Sequence, residues 1–218
     1  AVMGNHEFNA IAHATPNGIN EGKYLRSHKA NKNLGLKVSI NAFEGSFDGA
    51  EWQGWIQWFK ELPLFLELDG LRLVHAYWNQ DAVNAIGNRK LSNPDFLHKA
   101  AIKGNPEHLW VDNLLKGYEI PMPVGHSFID HTGVERKKFR ARWFDPAPFG
   151  KLASELVFPY SIYDIPAAPI SSESAKQIPG YDENAPPVFF GHYFKPENSP
   201  LKPELHNLAC LDFSVAKG

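Results

Sequence analysis

Short apolar runs that end on a few polar residues punctuate the chain, and they set the elements to expect. Ala1-Val2-Met3 runs into Gly4-Asn5-His6-Glu7, which predicts a buried strand that ends in a sharp turn and delivers polar side chains to a sheet edge. Asn9 to His13 can begin a helix, Thr15-Pro16-Asn17-Gly18 reads as a turn, and Lys29 to Leu36 is polar and loop-like. The clearest helix is Asp48 to Leu62, with Asp48 as N-cap, Glu51 in the first turn and Pro63 as the stop. Its Trp52, Trp55, Ile56, Phe59 and Leu62 recur at helical spacing, the stripe of a helix that covers a sheet. Leu64 to Leu68, then Asp69-Gly70, then Leu71 to His75 predicts a hairpin. Gln80 to Lys116 reads as two or three helices broken near Asn93-Pro94 and Gly104-Asn105-Pro106. A second hairpin is expected from Phe128-Ile129-Asp130 to Lys138–Phe144 around His131-Thr132-Gly133. Ile165 to Pro187, with five prolines, reads as a long surface loop. Val188-Phe189-Phe190 and His206 to Phe213 are the last strands expected.

Composition narrows the function classes. A chain of 218 residues that is 43% apolar and 13% aromatic can bury a substantial core, and residues 1–218 are expected to form one domain. Net charge is 22 minus 24, or −2, and Arg136-Lys137-Lys138 is the one basic cluster, so no footprint for duplex nucleic acid stands out. No apolar run reaches the roughly 20 residues that cross a bilayer. Cys210 stands alone, so no internal disulfide forms; it is expected as a buried strand thiol, and a reducing cytoplasm is the expected compartment.

Four places in the pattern carry chemistry. Asn5 offers a neutral carbonyl oxygen to a divalent cation, and the adjacent His6 points elsewhere, where it can give or take a proton. His75 closes an apolar run, as Asn5 does, at a strand end. His192 follows Gly191, whose missing side chain lets backbone come close to an ion. Arg140 and Arg142, two residues apart on one expected strand, face the same side and can fork onto phosphate oxygens. His13, His28, His98 and His108 lie away from strand ends and are read as structural or solvated.

Gly4-Asn5-His6-Glu7, Leu71-Arg72-Leu73-Val74-His75-Ala76 and Val188-Phe189-Phe190-Gly191-His192, in that order, resemble three motifs of the calcineurin-like metallophosphoesterases. The family's Asp-x-His and Gly-Asp-x-x-Asp-Arg motifs are not found before Ala1, so the resemblance implies a chain whose beginning is missing. Phe194, where many relatives carry a second His, places it nearest the branch of phosphoprotein phosphatases and symmetrical dinucleoside-tetraphosphate hydrolases; Tyr77 stands where a Gly is common. The resemblance implies an α/β fold, a two-sheet β-sandwich flanked by helices and incomplete at the N-terminus. It implies a hydrolase using two divalent ions, manganese first, with iron or zinc as alternatives, and attack by a metal-bridging hydroxide. Asn5, His75 and His192 would hold one ion, His6 would protonate the leaving oxygen, and Arg140 and Arg142 would meet the phosphate. The substrate would be a phosphorylated protein or a dinucleoside polyphosphate. The alternative is a binding module that keeps the fold without catalysis.

Overall fold

In the computed structural model, which describes residues 1–18, 22–29, 34–42, 49–130, 133–159 and 164–213, the fold is mixed α/β. Among the described residues there are three small sheets and no barrel: a four-stranded sheet and two strand pairs. Two compact units divide the chain, Ala1–Glu67 with Leu73–Leu115, and Leu68–Arg72 with Lys116–Gly218.

The first unit opens differently from the sequence expectation. Val2 and Met3 form no regular strand; Met3 N–H donates to Pro63 O at 2.8 Å, a single extended-chain hydrogen bond. Gly4 sits in extended backbone (φ −104, ψ 166) as the N-cap, and helix α1 (Asn5–Ala14) starts at once. The carboxylate of Glu7 lies in its first turn, where the helix dipole favours a negative charge. An apolar run of three residues was too short to continue as a strand once that helix start was available.

After α2 (Leu34–Ala42), whose first residues were expected as loop, comes α3 (Ala50–Glu61). Gly49 is its N-cap; Asp48, the expected cap, lies outside the described residues. Ala10 of α1 packs with Trp52 and Ile56 of α3, and Leu36 and Phe59 lean on that cluster. Burying each large side chain contributes about 2 kcal/mol. The apolar stripe is narrower than the spacing suggested, because Trp55 is 40% exposed.

The hairpin β1 (Phe65–Leu68) and β2 (Leu71–Val74) turns at Asp69-Gly70 as expected, with Gly70 at φ 79. That left-handed value is one most side chains avoid. Helices α4 (Gln80–Ile86), α5 (Pro94–Ala101) and α6 (Pro106–Lys116) break where proline and glycine predicted. Asn79 and Asn93 cap the first two by accepting from Ala82 N–H and Phe96 N–H, each at 3.0 Å.

In the second unit the pairing departs from the predicted hairpin. Strand β4 (Phe128–Ile129) pairs with β5 (Glu135–Arg136), and β6 (Lys138–Arg140) pairs antiparallel with β3 (Glu119–Pro121) instead. The reason is register. Ile120 lies opposite Phe139, and both are buried to 1% exposure or less, while charged neighbours stay on the other face. Short helices α7 (Ala153–Leu156) and α8 (Ser172–Lys176) follow. The proline-rich stretch is therefore not all surface loop: it forms α8 and sends Ile165 and Ile178 into the core with Ile120, Phe139 and Leu156. Strand β7 (Val188–Phe190) runs parallel to β8 (Leu208–Cys210), a shorter final strand than predicted.

His13, in the last turn of α1, is buried and stacks on His28 with ring centroids 3.8 Å apart; His28 in turn stacks on Tyr24. Burial first, then the charges of His28 and Arg26, lower its pKa to about 4. A depressed value means that folding favours the neutral ring. Its contribution is complete above the unfolded value near 6.5 and is lost as pH falls toward 4. Replacing His13 by Gln should flatten the loss of stability between those pH values. The urea midpoint of the native chain should fall more steeply there than that of His13→Gln, by up to about 3 kcal/mol in stability.

Candidate functional site

Asn5 and His75 are brought together in the first unit. Asn5 is the first residue of α1 and His75 the first after β2; His75 Nε2–H donates to Asn5 Oδ1 at 2.9 Å. Both side chains are half-buried. Ala76, next in the chain, is fully buried and anchored by its N–H to Leu114 O at 2.9 Å, which fixes the backbone that carries His75.

Gly4 gives the pair its room. A Cβ there would run into Glu7 Oε2 and come within 3.2 Å of His75 Cε1. Its backbone is extended, so the requirement is close approach and not an unusual φ. The sequence marked Gly4 as a turn residue, whereas it is the gap that admits an imidazole and a carboxylate beside the helix start.

His6 is exposed in the first turn of α1, one residue on from half-buried Asn5. Successive helical side chains diverge by about 100°, so Asn5 faces His75 while His6 faces solvent. The two side chains thus point apart, as the sequence suggested.

His192, Arg140 and Arg142 lie in the second unit. His192 follows β7 and is buried at φ 73, in the left-handed region; Phe194 is also at positive φ, 48. Such values cost non-glycine residues about 1 kcal/mol or more and persist only where the surroundings impose them. The surroundings are visible. Lys195 Nζ donates to Glu204 Oε1 at 2.7 Å in a buried ion pair, and Lys195 N–H donates to Asp212 O at 2.9 Å. Tyr193 packs edge-on against Phe158 and Phe190. Gly117, at φ 86, leaves space for the Tyr193 ring: a Cβ there would run into the Tyr193 hydroxyl.

The two arginines were expected on one strand face. Strand β6 ends at Arg140, and the two side chains have different surroundings. Arg140 Nε–H donates to Lys116 O at 3.0 Å, and its side chain lines a cleft. The Arg142 guanidinium lies 5.4 Å from the Phe144 ring centre, and burial lowers its pKa against the opposing pull of Asp145 and Glu204.

The remaining candidates behave structurally. His28 Nε2 bonds to His13 O, His98 Nε2 to Asn17 O and His108 Nδ1 to Ala100 O. Cys210 is buried, and burial pushes its thiol up to about 12, so it stays a neutral thiol at neutral pH.

Among the described residues no group of three or more His, Cys, Asp and Glu is placed to hold a metal ion. Asn5 Oδ1 and His75 Nε2 are two potential ligand atoms that lie within hydrogen-bond distance of each other. Two ligand atoms each about 2.1 Å from an ion and about 90° apart lie about 3 Å from each other. Oδ1 and Nε2 are 2.9 Å apart. No family model, curated protein or solved structure matches the chain.

If the pair binds a divalent ion, Asn5→Ala and His75→Ala should each weaken manganese binding to the chain at least about tenfold, or about 1.4 kcal/mol, by calorimetric titration. The double variant should be little worse than the weaker single one, because the two side chains act together. Unchanged affinity in both single variants would remove the pair as ligands.

Proposed function

We propose that the chain belongs to a metal-dependent phosphoesterase, with Asn5 and His75 as metal ligands and His6 as the proton donor to the leaving oxygen. The observation that carries this reading is the meeting of Asn5 and His75 at hydrogen-bond distance across 70 residues of sequence. These are two of the three residues that the resemblance to calcineurin-like metallophosphoesterases singles out. On this reading the fold is that family's two-sheet sandwich flanked by helices, and the lone buried thiol suits a cytoplasmic setting.

The donor set decides the class of ion. An amide oxygen and an imidazole nitrogen are hard to borderline ligands and suit manganese, iron or zinc over the soft ions that thiolates select. When bound, a pair of such ions supplies an activated water and neutralises charge on the phosphoryl oxygens. Asn5 and His75 include no carboxylate to bridge two ions, so they account for one ion only.

The chain's own residues supply the rest. Exposed His6 can reach a leaving oxygen from the start of α1, and protonating it removes the penalty of expelling an alkoxide. Arg140 is the better placed of the two arginines for phosphate, since Arg142 is engaged with Phe144. The substrate is a phosphorylated protein or a dinucleoside polyphosphate. A binding module without catalysis is the alternative, and the same experiment separates the two.

With manganese added, the protein should hydrolyse p-nitrophenyl phosphate, and a chelator should stop it. His6→Ala should lower kcat about 100-fold or more with manganese affinity unchanged. Manganese binding with no turnover would favour the module, and full turnover in His6→Ala would remove His6 from its role.

A further inference from the structure

We infer that the second unit holds a phosphomonoester-binding cleft of its own, built on Arg140 and Lys138. The inference rests on the phosphate reading of Arg140 and not on the metal ligands. The cleft has a volume of about 300 Å³. It is lined by Lys116, Glu119, Asp130, Arg136, Lys138 and Arg140, over an apolar floor that includes Phe139 and Phe158.

Its charges are arranged unevenly. Asp130 is already satisfied: Oδ1 accepts Val134 N–H at 3.1 Å, and Oδ2 accepts Arg136 Nε–H at 2.7 Å. The lining carries four cationic side chains, Lys116, Arg136, Lys138 and Arg140, against two carboxylates, Asp130 and Glu119, and Arg136 is paired with Asp130. The lining of this cleft is thus positive in a chain whose net charge is −2.

The donors are preset. Arg140 spends Nε on Lys116 O at 3.0 Å, which holds the guanidinium in place. Its two Nη groups and the Lys138 ammonium have no partner among the described residues. Lys138 and Arg140 are alternate residues of β6, so they project from the same face, while Phe139 between them is buried at 1% exposure. Two Nη groups side by side match two oxygens of one anion, and an ammonium beside them matches a third.

Charge and size then select the ligand. A carboxylate brings one charge and two oxygens; a phosphomonoester brings about −1.5 to −2 and three oxygens, one for each of the three donor groups of Arg140 and Lys138. The volume is at the lower end for a small-molecule site and admits a phosphoryl group with a small substituent, not a nucleic acid duplex.

The test is calorimetric titration of the full chain with inorganic phosphate, O-phosphoserine and acetate, in the presence of EDTA so that no divalent ion contributes. Phosphate and phosphoserine should bind saturably and acetate about tenfold more weakly. Tighter binding of phosphoserine would identify an ester as the natural occupant, and tighter binding of phosphate the free ion. Arg140→Gln and Lys138→Gln should each raise the phosphate Kd about five- to tenfold, and Arg140→Lys should not restore it, because a point charge lacks the fork. Glu119→Gln, opposite Arg140 in the β3–β6 register, should lower the Kd. Lys138 and Glu119 are exposed, so those variants keep the test sound if Arg140 is needed for folding. Absence of saturable phosphate binding, equal affinity for acetate, or an unchanged Kd in all the variants would overturn the inference. The metal-dependent reading would stand or fall separately.

Discussion

A hydrogen bond between Asn5 and His75 is the constraint that holds the two candidate residues of the first unit together. It ties the start of α1 to the end of β2, two elements that belong to different local patterns, and it forms only because the chain is bare at Gly4. The backbone on each side is pinned by a hydrogen bond of its own, Met3 N–H to Pro63 O and Ala76 N–H to Leu114 O. Both polar side chains thus arrive on rigid supports, which is what a ligand pair needs if binding is not to spend its free energy on ordering.

The turn after β7 shows the same economy by other means. His192 and Phe194 hold positive φ values that neither residue prefers, and the polar contacts around them explain why the turn does not relax. Glu204 accepts from Lys195 Nζ with one oxygen and from Cys210 N–H with the other, so a single buried carboxylate joins the turn to β8. A buried ion pair contributes little net stability once desolvation is counted, but it fixes geometry. The aromatic group of Trp143, Phe144, Phe158, Phe190 and Tyr193 supplies the burial that offsets this cost.

Much of this was legible in the sequence, for identifiable reasons. The β1–β2 hairpin was fixed by Asp69-Gly70, and helices α4 to α6 by prolines and asparagines at their starts, all signals confined to a few residues. The pairing of β6 was not legible, because Phe139 could have faced either neighbour and the choice lay in Ile120, 19 residues earlier. Nor could α1 be placed from its own residues. Gly-Asn-His-Glu after three apolar residues suits a strand end as well as a helix cap, and the Met3 to Pro63 bond that settles it is non-local. For the site, residue types at apolar run ends found Asn5 and His75, but the spacing role of Gly4 and the different surroundings of Arg140 and Arg142 needed three dimensions.

The identity of residue 5 decides what the pair can do. As a hydrogen bond, the contact needs a proton on His75 Nε2, because Asn5 Oδ1 can only accept. As an ion-binding pair, it needs that nitrogen bare, so ligation and the hydrogen bond exclude each other and the proton on Nε2 would have to move to Nδ1. With Asn the displaced bond is a neutral one, about 1 kcal/mol net. An aspartate in its place would stabilise the imidazolium and turn the contact into a charge-assisted bond roughly twice as strong. The ion would then compete with a proton held by a full negative charge. A neutral amide keeps Oδ1 and Nε2 at hydrogen-bond distance without adding a charge beside the imidazole.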